Sequence, residues 1–94
     1  MFDILKRPAL FQDVGFKFED NIYYLYHRSE NKVLLLENSV AIEIVSQING
    51  ENNIKSIISH IEKEYSDADG TKIKDDTVDF LKILKKENFI IFLK

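Results

Sequence analysis

Two histidines and a scatter of carboxylates are the side chains in this sequence best equipped for chemistry. His60 and Glu64 stand four residues apart, on one face of any helix that contains both, where they could share a metal ion. A metal site normally takes three or four ligands, and no third one stands at a sensible spacing unless His27 is brought near by folding. Both residues lie opposite a stripe of isoleucines and are expected to be surface polar groups. His27 ends an aromatic run beside a turn, where a solvated position is expected. Asp67-Ala68-Asp69-Gly70 begins like a calcium loop, but its glycine comes too early and no glutamate closes a twelve-residue loop. Asp75-Asp76 fits the first turns of a helix, where acidic side chains complement the dipole. Three glycines, Gly15, Gly50 and Gly70, cannot form a phosphate cradle, and the absence of cysteine excludes thiolate chemistry and disulfides. The inventory points away from an enzyme, and no metal or other cofactor is expected.

The whole chain bounds the remaining possibilities. Ninety-four residues suit one domain with a single modest core. A hydrophobic fraction of 45% is that of a folded chain. Thirteen basic and sixteen acidic residues give a net charge of −3, so the basic excess of a typical nucleic-acid binder is missing. No apolar run approaches the length of a membrane span, and the first residues lack the apolar core of a signal peptide. A cytoplasmic protein with no membrane or nucleic-acid partner is expected.

The elements follow from periodicity. Residues 1–13, interrupted by Pro8, read as an arm leading to the first strand, with Phe2, Leu5, Leu10 and Phe11 available to cover a sheet edge or face. Val14, Phe16 and Phe18 alternate as in a half-buried strand. Asp20-Asn21 suits a tight hairpin turn, and Ile22 to His27 is aromatic and β-prone. Ser29-Glu30-Asn31 makes a second turn before a strand from Lys32 to Glu37 that is apolar on both faces. The period then becomes helical. Asn38 or Ser39 caps a helix bearing Ala41, Ile44, Val45 and Ile48, and Gly50 fits a left-handed C-cap. Asn53 caps a second helix, whose Ile54, Ile57, Ile58, Ile61 and Tyr65 form the clearest amphipathic stripe. Ser66 to Gly70 is a polar loop, and a third helix runs from about Thr71 to Asn88. Its apolar set from Val78 to Leu84 spans roughly 220° of the helix surface, against the roughly 100° a surface helix needs. Phe89 to Leu93 is a short apolar run, either a tail on the core or a further strand. The fold class is α+β: a three-stranded antiparallel sheet followed by three helices that cover one of its faces.

What remains is a binding surface. The strand from Lys32 to Glu37 leaves the meander directly for a helix, so it is placed to be a sheet edge, although a buried central strand fits the same residues equally well. An edge would offer unpaired N–H and C=O groups to an extended peptide. The surplus arc of the third helix would wall a groove beside it, with Lys82, Lys85 and Lys86 attracting acidic residues of the incoming segment or simply remaining solvated.

The spans Tyr23-Tyr24-Leu25-Tyr26, Asn31 to Ser39, Ile48-Asn49-Gly50, the Ile54, Ile57, Tyr65 series, Phe80-Leu81, Leu84 and Phe89-Ile90 together resemble the PqqD-like family. The resemblance covers about residues 14 to 91; Asn49-Gly50 replaces the usual Asp-Gly, and Asn88 stands where glycine often ends the third helix. It implies a winged-helix-like peptide-recognition domain, residues 14–94 here, acting in the biosynthesis of ribosomally made, modified peptides. It implies a free-standing adaptor that binds the precursor's leader peptide as an added strand and presents it to a modifying enzyme, such as a radical SAM enzyme, or to a leader protease. Carried onto this sequence, the peptide-binding residues are Lys32, Val33, Leu34, Leu35, Leu36 and Glu37 on the strand and Val78, Leu81, Lys82 and Lys85 on the third helix. Alanine at Val33 or Leu35 is then expected to disturb folding more than specificity, and proline at outward-facing N–H positions to abolish binding first. A monomer is expected, with dimers possible through the open edge. Two other readings fit parts of the pattern: a winged-helix DNA-binding regulator and a purely structural subunit of an enzyme complex.

Overall fold

The computed structural model describes residues 3–65 and 70–94. The elements in chain order are β1 (Arg7–Leu10), β2 (Val14–Glu19), β3 (Ile22–His27), β4 (Lys32–Leu36), α1 (Ser39–Ser46), α2 (Ile54–Glu64), α3 (Gly70–Lys86) and β5 (Ile90–Leu93). The expected meander is present as an antiparallel sheet in the order β2-β3-β4. Asp20 and Asn21 join β2 to β3 with φ of 53° and 66°, the positive pair that a two-residue hairpin turn matching strand twist demands. Phe2, the calcium-like Asp67 to Asp69 segment and most of the expected Ser66 to Gly70 loop lie outside the described residues.

The termini depart from expectation. Residues 7–10 of the expected arm form β1, which pairs antiparallel with β5 in a second, two-stranded sheet. Pro8 is tolerated there because a two-stranded ribbon consists only of edges. Its carbonyl accepts the Gly50 N–H at 2.9 Å, and Lys6 and Ile4 carbonyls accept the Ile54 and Lys55 N–H groups. The arm therefore satisfies the first-turn donors of α2, alongside the Asn53 side chain, which accepts from Ser56 N–H at 2.8 Å. Gly50, with φ of 79°, lies in the turn between α1 and α2 rather than directly on the end of α1. Asn88 takes the left-handed position after α3 at φ 65°, and Phe89 N–H reaches back to the Leu84 carbonyl at 2.9 Å.

The core lies between the helices and one face of the three-stranded sheet. Leu25 and Leu36 come from the sheet; Ile44 and Val45 from α1; Ile54, Ile57 and Ile61 from α2; Leu81 and Leu84 from α3; Phe89 and Ile90 close it from the C-terminal end. The i, i+3, i+4 spacing of the α2 isoleucines puts all of them on this core. Among the described residues no helix is long and apolar enough to cross a membrane.

Among the described residues two buried polar atoms find no hydrogen-bond partner, His27 Nε2 and the Thr77 hydroxyl. Thr77 on α3 is fully buried. Valine has nearly the same shape without the unpaired oxygen, so Thr77→Val is expected to raise stability by about 1 kcal/mol. Urea unfolding should show a higher midpoint with an unchanged slope.

Candidate functional site

The site begins with the backbone of β4. Strand order makes β4 an edge, and the register decides which of its groups are left over. The tight turn at Asp20-Asn21 makes Glu19 and Ile22 a hydrogen-bonded pair, so alternate residues of β3 from Ile22 onward face β2. Continuing that alternation to Arg28 agrees with its N–H donating to the Asp13 carbonyl at 3.0 Å. Tyr23, Leu25 and His27 therefore turn their backbone groups to β4, where they pair with Leu36, Leu34 and Lys32. Val33 and Leu35 are the positions whose N–H and C=O point away from the sheet.

Side chains of β4 divide in the same way. Leu36 is buried in the core and Leu34 packs against it, whereas Val33 and Leu35 lie on the opposite face of the sheet, 63% and 50% exposed. Alanine at either exposed position should thus disturb folding little, contrary to the expectation from an apolar run. The run is apolar on both faces because only one face is covered by helices. Ile22 and Tyr24 extend the exposed apolar patch, and Val33, Leu35, Ile22, Tyr24, Glu19 and Asp20 line a shallow depression there.

Lys32 anchors the start of the strand. Its Nζ donates to the Glu87 carbonyl at 2.6 Å, lies 3.0 Å from the Glu30 carboxylate and sits 5.5 Å from the centre of the Phe89 ring. The Glu30 carboxyl is held below its ordinary titration range chiefly by its hydrogen bond with Lys32, and the Lys32 ammonium is raised by the same bond. This clamp ties the β3–β4 turn and the start of β4 to Glu87, the residue that follows α3. Glu37 follows the strand and is exposed.

Between α1 and α3 runs a groove of about 410 Å³, lined by Val40, Ala41 and Ile44 of α1 and its N-cap Asn38 on one side and by Asp76, Asp79, Phe80 and Ile83 of α3 on the other. Phe80 and Ile83 belong to the surplus arc read from the sequence, but none of Val78, Leu81, Lys82 and Lys85, the positions carried over from the resemblance, lines this groove. Leu81 is completely buried and belongs to the core, so it cannot contact a peptide directly. Val78 and Lys82 line a separate depression with Ile4, Lys74, Asp75 and Asp79. Lys85 is exposed in the last turn and does not line the groove. The wide apolar arc of α3 thus has three uses: a core stripe through Ile73, Leu81 and Leu84, a groove wall at Phe80 and Ile83, and a flank at Val78 near Ile4. Wheel geometry alone could have separated these stripes had the core direction been known.

The histidines are structural. His27 is 1% exposed, not solvated: it points to the inner face and is stacked on Phe11 at 5.3 Å and against the edge of Phe89 at 6.3 Å. The N-terminal segment read as an arm covers it. His60 Nε2 lies 2.7 Å from a Glu43 carboxylate oxygen, linking α2 to α1. Among the described residues no three histidine or acidic side chains come together in a way that would hold a metal.

Comparison with known proteins bears on the family and the fold. The profile of the family described as coenzyme PQQ synthesis protein D (PqqD) matches residues 25–90, which run from β3 through α3 to the start of β5. A solved structure titled TbiB1 in complex with the TbiA(beta) leader peptide superposes with a TM-score of 0.76 at 23% identity, covering 87% of this chain and 93% of that chain. No curated protein matches significantly.

Proposed function

The chain belongs to the PqqD family, and from that premise we propose that it binds the leader segment of a ribosomally made precursor peptide as a fourth strand on β4. The observation that carries this reading is the pair of outward backbone positions, Val33 and Leu35, standing on a sheet edge, with the groove between α1 and α3 opening at Asn38 just after the strand. A chain of the same fold has been solved with a leader peptide, which supports the same choice of ligand. The peptide backbone would pair with Val33 and Leu35. Its side chains on the helix side would enter the groove against Val40, Ile44, Phe80 and Ile83, and those on the other side would extend the patch at Ile22, Tyr24, Val33 and Leu35. Leu34, Leu36 and Lys32 position the edge, and Leu81 supports the groove wall from behind.

In this reading the domain is an adaptor rather than a catalyst. It presents the precursor to a modifying enzyme, such as a radical SAM enzyme, or to a leader protease. Binding through backbone groups suits that role, because it tolerates variation along the peptide while the groove supplies selectivity.

Titration of isotope-labelled protein with a synthetic leader peptide, taken from a precursor encoded beside this gene, tests the reading. Amide shifts are expected at residues 32–37 and along Asp76 to Ile83. Shifts confined to α2 and to the β1–β5 ribbon would reject it.

A further inference from the structure

The groove between α1 and α3 has a charge opposite to that expected from the α3 lysines. Asp76 and Asp79 stand on its α3 wall, followed along the same helix by Phe80 and Ile83. Lys72 is paired with this wall, 3.3 Å from Asp76, and both members of that pair are more than half exposed. Such a pair is weakened by solvent and leaves the aspartate able to take a second partner. Asp79 lies on the crest between the groove and the depression that contains Lys74 and Lys82. On the α1 side the lining is Asn38, Val40, Ala41 and Ile44, with no charge, and the Asn38 side chain is occupied in capping, accepting the Ala41 N–H at 2.8 Å.

Resting on the strand-pairing reading, we propose that the bound segment carries a lysine or arginine directed at Asp76 and Asp79, two residues away from an apolar side chain seated against Ile44, Phe80 and Ile83. The spacing follows from matching two periodicities. Side chains on one face of a strand recur every second residue, about 6.7 Å apart. Asp76 to Phe80, and Asp79 to Ile83, are each one step of four residues along α3, about 6 Å. A strand lying along α3 therefore brings residues i and i+2 opposite one carboxylate and one apolar side chain. An acidic residue at the same place would face two like charges.

Selection of a random ten-residue display library on the immobilised full-length protein tests this. Peptides enriched on the wild type are expected to carry a basic residue two positions from an aromatic or large aliphatic one. A selected peptide should bind the Asp76→Asn/Asp79→Asn variant about three- to tenfold more weakly, as expected for two partly exposed ion pairs. High salt should weaken wild-type binding by a similar factor and the variant's much less. No basic enrichment, or undiminished enrichment on the double variant, would overturn the proposal. Val33→Pro, run in parallel, separates the two levels. Peptides that lack the basic residue yet lose binding to Val33→Pro would sink the charge assignment alone. Peptides indifferent to Val33→Pro would overturn the strand-pairing reading on which it rests.

Discussion

Replacing Val33 with proline is expected to weaken leader-peptide binding by roughly thirty- to a hundredfold, about 2–3 kcal/mol, while the domain remains folded. Proline removes the outward N–H and leaves the peptide carbonyl opposite it unpaired, which costs more than the hydrogen bond itself contributes. The fold survives because this N–H takes no part in the ladder with β3, and edge positions are where sheets accept proline. Lys32, the preceding residue, is already extended, so the restriction proline places on its neighbour costs little. Leu35→Pro should behave in the same way. Leu34→Pro should not: its N–H faces Leu25 across the ladder, and its loss should lower the unfolding midpoint as well as binding. Calorimetric titration of the three variants, with circular dichroism melts as the folding control, separates these outcomes.

The second large effect concerns α3, where two neighbouring apolar residues have different roles. Leu81 is 0% exposed, so Leu81→Ala removes a fully buried side chain and is expected to cost about 2–5 kcal/mol of stability. For a domain of this size that is a large part of the total. Ile83 is 53% exposed on the groove wall, and Ile83→Asp should change stability by less than about 1 kcal/mol. It should nevertheless weaken peptide binding at least tenfold, since it places a charge among the apolar groups that would seat the peptide side chain. Denaturant unfolding and binding, measured on both variants, should give opposite patterns. Strong binding by Ile83→Asp would remove the groove wall from the site.

Much of this arrangement was legible in the residues. The hairpin at Asp20-Asn21, the caps at Asn38 and Asn53 and the isoleucine stripe of α2 are local features, and local chemistry decides them. The excess apolar arc of α3 signalled apolar surface beyond the core stripe, and Phe80 and Ile83 line a groove outside the core. Features set by contacts between distant segments could not be read. The β1–β5 ribbon joins residues 7–10 to 90–93, and neither half has enough length or alternation to declare itself a strand. His27 is buried by that same N-terminal segment, so its burial was hidden as well. The choice among α3 positions depends on the rotation of the helix about its axis. That rotation is set by tertiary packing and by the Lys32–Glu87 clamp, which no periodicity contains. For this reason the resemblance carried the site onto Val78, Leu81, Lys82 and Lys85, and the apolar arc that also contained Phe80 and Ile83 could not be divided into core and groove.

Strand addition at β4 makes its sharpest claim about two backbone hydrogens. In the free protein the amides of Val33 and Leu35 should exchange with solvent rapidly, and those of Leu34 and Leu36 slowly, because only the latter face β3. With saturating leader peptide, hydrogen exchange followed by NMR should show Val33 and Leu35 slowed to the level of their ladder-bonded neighbours. A complex in which the peptide is bound while both amides exchange as fast as in the free protein would contradict strand addition.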